Sequence, residues 1–530
     1  MASTTTRPRT GLEKSTQPET ELLLSKALSS FSSLVILQFV SRIFTFVLNQ
    51  ALVRLVSPQV FGTAAIQFEL LLSTILFLSR EGVRNALLRS SRTSPEKSRD
   101  DGERNGLANI STLPIIFGVP AAALITIIYV KNASSTTTSQ SYFYSGAVVY
   151  ALAACIELLS EPLYVRAQND LRIDLRVKAE GCAVVMRTIV TFLSLVAGSA
   201  DYALMAFALG QAAYGVTVFA IYLYAYQGSL YLWPQRFTTL VHGNKTSKYF
   251  DSALLNLSIA MTAQSFIKHF LTEGDKFLLS RFSPLADQGG YAVASNYGSM
   301  VARIVFQPIE ETSRVFFSKT LSKQSNIEGL RAASSMLLSL LLLFTHILLV
   351  LVAFGPPYLA IAIVILLPSK YHHTSAPTIL RTYVYYIPMM AFNGVLEAFF
   401  ASTASSTDLR TQSRWLFMFS VGFIGAAVGL VKGLDFGDAG LIWANVANLF
   451  CRALYAWVFA LRYFREKGSP ELISWRQVVP PPSVLLVFGV SSIAMRWSEA
   501  KYLVSSRDVT AHLEHIGLGV GCLAACLIAW

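Results

Sequence analysis

Charge is scarce in this chain. Only 14% of its 530 residues are Asp, Glu, Lys or Arg, against about 25% in ordinary soluble domains, and 53% are hydrophobic. A water-soluble fold would leave far too much of that apolar surface exposed. Cysteine is scarcer still. Cys155, Cys182, Cys451, Cys522 and Cys526 form no CxxC pair and no metal-ligand spacing, so they read as small packing residues rather than a disulfide frame or zinc site. A P-loop, HExxH, GxSxG and DxD are all missing, which disfavours an enzyme and implies no cofactor and no metal. His372-His373 read as solvated loop histidines. The first twenty residues are polar, so no cleaved signal peptide is expected and the first apolar segment acts as an uncleaved anchor. The net charge of +12 comes without a basic surface interleaved with aromatics. It therefore speaks for membrane topology and anionic headgroups, not nucleic acid.

What the chain does have is long apolar runs. A membrane span needs about 20 predominantly apolar residues. On that basis helices are expected near 31–56, 64–88, 108–130, 142–165, 180–199, 202–226 and 251–272, then near 290–317, 333–353, 377–403, 412–431, 438–463, 482–497 and 512–530. The run Tyr358–Leu367 is too short to span and reads as a separate re-entrant or surface piece. Gly289-Gly290 and Pro356-Pro357 read as turns or helix starts. The expected fold is all-α and polytopic, with about 14 transmembrane helices. Two sets of six are followed by two more. The parts are a tail (1–30), a first lobe (31–226), a linker (227–250), a second lobe (251–465) and a final linker with two helices (466–530). Loops after even-numbered helices and the N-terminal tail hold 28 basic residues, against 9 in the other loops. By the positive-inside rule both termini face the cytosol.

Polar residues recur inside these apolar runs at helical spacing. Gln38, Arg42, Thr45 and Asn49 share one face of the first helix, and Glu69, Ser73, Arg80 and Arg84 share one face of the second. Glu157, Glu161, Tyr164 and Gln168 do so in the fourth helix; Asn296, Arg303, Gln307, Glu310 and Arg314 in the eighth. The tenth carries Asn393, Glu397 and Asp408, and the twelfth Asn445, Asn448, Arg452 and Tyr455. Arg187 and Lys268 stand more alone. A charge at the bilayer centre costs about 2.5–3.5 kcal/mol or more, so such residues face either one another or a wet cavity. The plain reading is interhelical pairing within a packed bundle. Against it, Arg42, Arg187, Lys268, Arg303 and Arg452 outnumber Glu69, Glu157 and Glu397. A cationic excess in an enclosed wet space suits a phosphate or diphosphate, which arginine grips with a two-pronged fork.

Longer motifs carry a specific resemblance. SRIFTF at 41–46, LVSPQVFG at 55–62, ELLLSTILFLSREGVR at 69–84, ELLSEP at 157–162, GDK at 274–276 and YAVASNYGSMVARIVFQPIEE at 291–311 resemble the eukaryotic Rft-type oligosaccharide translocation family over residues 25–470. The resemblance implies a multi-pass protein of the endoplasmic reticulum membrane that supports N-glycosylation. It would move a mannose-rich dolichyl-diphosphate oligosaccharide from the cytosolic to the luminal leaflet. The implied fold is that of the MATE exporters and the lipid II flippase: two six-helix lobes in a V, with two extra helices. The alternative under the same resemblance is a noncatalytic scaffold for dolichol-linked oligosaccharide assembly, working beside other dolichol-pathway proteins. A MATE-like cation-coupled exporter would need a more acidic cavity than this one. On the flippase reading Arg42, Lys268, Arg303 and Arg452 are the expected diphosphate contacts. Asn49, Gln50, Glu69, Arg80, Glu157, Gln307, Glu310, Glu397 and Asn445 are the expected polar and gating residues.

Overall fold

The computed structural model describes residues 46–93, 101–170, 172–241, 244–321, 327–502 and 509–530. The protein is a multi-span helical membrane protein. Eleven helical stretches among the described residues are long and apolar enough to cross a bilayer. In the first group, α1 (Phe46–Leu55) is followed by α2 (Pro58–Leu87), α3 (Gly106–Asn132), α4 (Phe143–Asn169), α5 (Asp174–Ala197) and α6 (Ala200–Ala225). A hairpin, β1 (Phe237–Val241) and β2 (Asn244–Lys248), pairs antiparallel in the connection. The second group holds α7 (Ser252–Thr272), α8 (Gly274–Phe282), α9 (Leu285–Val301), α10 (Gln307–Thr320) and α11 (Ile327–Leu366). It continues with α12 (Ala376–Thr403), α13 (Thr407–Gly433) and α14 (Ala439–Glu466). Two further helices, α15 (Pro482–Tyr502) and α16 (Val509–Ala529), end the chain. The count is compatible with fourteen spans. Of the expected three outside the eleven, α7 with α8 and α9 with α10 are present as helices of more polar composition, and the first is described only from residue 46.

Local chemistry sets several of these boundaries. Ser57 caps α2 by accepting from the Val60 N–H, and Pro58 fills the first helical position, where its missing N–H costs nothing. Asp251 caps α7 through the Leu254 N–H, and Ser405 with Asp408 forms a capping box ahead of α13. α4 is interrupted at Ser160, just before Pro162, whose ring removes a backbone donor. One expectation fails here. The Tyr358–Leu367 run is no separate piece: α11 runs on through Pro356-Pro357 to Leu366. In a low-dielectric slab a broken helix would expose unpaired backbone, so the chain keeps its ladder and takes the prolines inside. Gly289-Gly290 likewise lie within α9 and form no turn.

Four apolar cores show how the groups meet. The largest draws on both groups: Phe61, Ala64, Phe68, Phe143 and Leu204 pack with Tyr291, Tyr297, Ile379, Tyr371 and Leu441. A second core (Val83, Ile110, Tyr164, Ala179, Tyr222) belongs to the first group with a little of α7. A third (Phe317, Leu337, Phe344, Phe399, Phe464) lies wholly within the second group. The two groups are thus fused at one end, called here the joined end, and keep separate cores at the other. The fourth core fixes α15 and α16 to α11 through Ala353, Phe488, Met495 and Cys526. There the Tyr358 hydroxyl donates to the His515 carbonyl at 2.7 Å, Ser498 lies 2.8 Å from His515 Nδ1, and His346 stacks on Trp530 at 4.6 Å.

The joined end is close-fitting. Gly62 and Gly289 let α2 and α9 cross in backbone contact, and a Cβ on Gly289 would run into the Pro58 carbonyl. Beside the crossing, Gln67 Nε2 donates to Gln288 Oε1 at 2.9 Å, while the Tyr129 hydroxyl donates to Gln67 Oε1 at 3.0 Å. Tyr297 donates to Gln50 Oε1 at 2.6 Å, tying α9 to α1. At the hairpin, Asn109 gathers both strand ends: its Nδ2 donates to the Gln235 and Tyr249 carbonyls, and its Oδ1 accepts from the Gln235 N–H. Gln67→Leu would strand two buried partners, each worth about 1–3 kcal/mol. The variant is expected to melt several degrees lower in detergent, measured by intrinsic fluorescence, and Gly289→Val lower still.

Candidate functional site

Most charged residues of the expected site are already partnered. Arg80 sits at the π-turn Phe77–Glu81 of α2, where Nη1 reaches Glu157 at 2.6 Å and Glu161 at 3.3 Å. Arg84 grips Glu161 with two nitrogens, at 2.8 and 2.5 Å, and its guanidinium lies 3.7 Å over the Tyr164 ring. The Glu161 side chain is 0% exposed and that of Glu157 8%. Two cations and two anions make a neutral, largely buried quartet that staples α2 to α4. Arg80 and Glu157 therefore face each other and no open cavity. In the second group Arg452 takes one oxygen of Glu397 with Nη2 at 2.5 Å and Nε at 3.0 Å, joining α14 to α12. Glu310 pairs with Arg314 on its own helix at 2.8 Å, and Gln307 donates to Glu311 at 3.1 Å. Lys268 is 63% exposed and 3.8 Å from Glu81, the one contact of this set that reaches from α7 back to α2. Arg42 lies outside the described residues. Arg303 belongs to the π-turn Ala302–Phe306 between α9 and α10, and its side chain also lies outside the description.

A polar cleft does exist, at the seam between the groups. It has two chambers that share Ala65 and Asn296. One, of about 440 Å³, is lined by Phe46, Asn49, Glu69, Arg187, Thr188 and Met300. The other, of about 320 Å³, is lined by Asp275, Lys276, Ser295, Ser299, Tyr386 and Asn445. Asn49, Glu69 and Asn445 of the expected set thus come together here, with Gln50 close by on Tyr297. Glu69 follows directly on the π-turn Thr63–Phe68, whose extra residue shifts the register of α2 before it. It pairs with Arg187 Nη2 at 3.1 Å. Opposite, Gly274 opens α8 next to the end of α7, and Lys276 reaches back to Glu273 at 2.7 Å. Asp275 accepts from the Tyr291 hydroxyl at 3.1 Å and from the Lys276 N–H at 2.8 Å.

Two cleft residues were not among the expected site residues. Arg187 counts in the sequence only as a lone charge in its span, with no stripe of polar neighbours to assign it to the site. Lys276 was assigned to a loop because the apolar run ends at Thr272, whereas the chain turns helical again at once. Of the expected cationic set, the described side chains of Arg187, Lys268 and Arg452 each have an acid within reach, Glu69, Glu81 and Glu397 respectively. Removing one member of a buried ion pair leaves a bare charge and typically costs about 3–5 kcal/mol. Glu161→Ala is accordingly expected to destabilise the protein severely, with Arg84 unpaired and Arg80 left to Glu157 alone. Arg176→Ala, at an exposed pair on α5, should leave the melting temperature nearly unchanged.

Comparison with known proteins gives a consistent picture. The sequence model of the Rft-1 family (Rft protein) matches residues 26–530. A Man(5)GlcNAc(2)-PP-dolichol translocation protein RFT1 from Schizosaccharomyces pombe is 32% identical, over 91% of this chain and 92% of that protein. The protein of the same name from Xenopus tropicalis is 31% identical, over 96% and 94%. Among solved structures, the lipid II flippase MurJ in an inward closed conformation superposes with a TM-score of 0.55 at 14% identity, covering 93% of this chain and 98% of that one. An inward-facing MATE family multidrug resistance transporter of the MOP superfamily gives 0.50 at 13% identity, covering 81% and 100%. These two likenesses establish the fold.

Proposed function

This chain is a member of the Rft protein family, and from that premise we propose that it carries Man(5)GlcNAc(2)-PP-dolichol from the cytosolic to the luminal leaflet of the endoplasmic reticulum membrane. The observation that carries the reading is the polar cleft at the seam of the two helix groups, lined by charged and amide side chains from both. A sugar-diphosphate headgroup cannot cross hydrocarbon unaided, because every polar group it desolvates costs several kcal/mol, about 2–7 for a single amide or hydroxyl. A seam of carboxylates, cations, amides and hydroxyls substitutes for that lost water, while the prenyl chain stays in lipid.

On this reading 31–226 and 251–465 work as two lobes, with 227–250 as their connection and 466–530 riding on the second. Both termini lie in the cytosol, which makes the joined end luminal and the end with separate cores cytosolic. The headgroup then enters between the separate cores and leaves when the Gly62–Gly289 crossing parts. Reciprocal opening of two ends around a fixed site is what alternating access requires. Of the earlier candidates, Asn49 and Asn445 offer hydrogen bonds within the cleft, and Glu69 lines it as a gating residue. Arg42 and Arg303 are retained as diphosphate contacts, while Lys268 and Arg452 must first leave their acids.

Two measurements test the proposal. Purified protein in liposomes with labelled dolichyl-diphosphate oligosaccharide should move the lipid across the bilayer faster than empty liposomes do. Equal rates would favour the scaffold alternative. In cells lacking the endogenous protein, Arg42→Gln with Arg303→Gln, at matched expression, should fail to rescue N-glycosylation.

A further inference from the structure

Two ion pairs face the cleft from opposite helix groups. Arg187 on α5 touches Glu69 on α2 at 3.1 Å, and Lys276 on α8 touches Glu273 at 2.7 Å. Resting on the translocation reading above, we infer that Arg187 and Lys276 are a two-cation subsite for the diphosphate, and that Glu69 fills it as an internal counter-anion while the protein is empty.

Three observations separate these charges from the structural pairs. The first is access. The side chains of Arg187, Glu69 and Lys276 are 35%, 32% and 28% exposed and open on the cleft, which sets them apart from the α2–α4 quartet at 0–20%, though Arg452 and Glu397 are about as exposed at 30% and 25%. The second is grip. Arg84 and Arg452 each hold their acid with two nitrogens at 2.5–3.0 Å, but Arg187 holds Glu69 with one, at 3.1 Å. A single longer contact is the one an incoming anion displaces most easily. The third is placement. Each cation belongs to a different helix group, and the chambers they line meet at Asn296. Neutral donors stand around them: Asn49 and Thr188 beside Arg187, Ser299 and Asn445 beside Lys276.

The arrangement solves an electrostatic problem. Bare cations at membrane depth are expensive, so an empty cationic site needs a substitute anion. Glu69 provides one that is tethered and cannot leave. An arriving diphosphate exchanges with it: the arginine fork takes two phosphoryl oxygens, the lysine takes the other phosphate as a point charge, and Glu69 swings towards solvent. When Glu69 returns, it expels the ligand. The acid therefore weakens binding and promotes release, the opposite of what a contact residue does.

The test uses full-length protein in nanodiscs and a fluorescent polyprenyl diphosphate as the probe, with inorganic pyrophosphate and a polyprenyl monophosphate as competitors. Charge-assisted hydrogen bonds of this kind are worth roughly tenfold or more in affinity each. Arg187→Gln and Lys276→Gln should each weaken probe binding by at least about tenfold, and Arg187→Lys by less. Glu69→Gln should tighten binding severalfold while slowing translocation in liposomes. Pyrophosphate should displace the probe from the wild type, at higher concentration than the lipid itself, and the monophosphate should compete less well than an equal concentration of lipid diphosphate. Weaker binding by Glu69→Gln, or unchanged binding by both cation variants with melting temperatures intact, overturns the subsite and leaves the translocation reading standing. Failure of pyrophosphate to displace the probe, or tighter binding of pyrophosphate than of the lipid, also overturns it. Absence of probe binding to the wild type overturns both.

Discussion

A charge carried into a hydrocarbon slab must be matched by another charge or kept wet, and the molecule applies both solutions in different places. Away from the seam it matches. Arg80 and Arg84 close on Glu157 and Glu161, and Arg452 closes on Glu397, so that polar side chains act as rivets between helices whose outer faces are apolar. At the seam Arg187 holds Glu69 with one nitrogen at 3.1 Å, where Arg84 and Arg452 hold their acids with two.

That distinction explains how much could be read in advance. Nearly every span was legible, because a run of about twenty apolar residues admits few other structures in lipid. Even the more polar α7 and α9 were recognisable from their flanking pattern. What periodicity does not give is the rotation of one helix about its axis relative to its neighbours. Glu161 could be placed on the face of Glu157 but not opposite Arg84. Asn49, Glu69 and Asn445 were singled out and do line the cleft, while Arg187 was noted only as a lone charge and Lys276 was not placed at the site. One lacked polar neighbours, and the other followed a one-residue break that looked like the end of a span.

π-turns occur where this matters most. One precedes Glu69, one holds Arg80, and one holds Arg303. Each inserts a residue into the helical register and so turns the following side chains away from the face that a 3.6-residue period predicts. Sequence carries no plain mark of such an insertion. Two of these lie on α2 and one leads from α9 to α10, while a fourth, Gly429–Gly433, ends α13 away from both chambers.

The docking of α15 and α16 onto α11 bears on how any rocking would be shared. His515 is held by Ser498 and lies 3.2 Å from the Pro357 carbonyl, and Trp530 lies flat on His346. The last two helices are therefore welded to one arm only. That arm presents a broader face to the bilayer and meets more viscous drag than its counterpart. Relative to the surrounding lipid, the lighter first arm would sweep through the larger angle, and the two leaflets would see an asymmetric stroke.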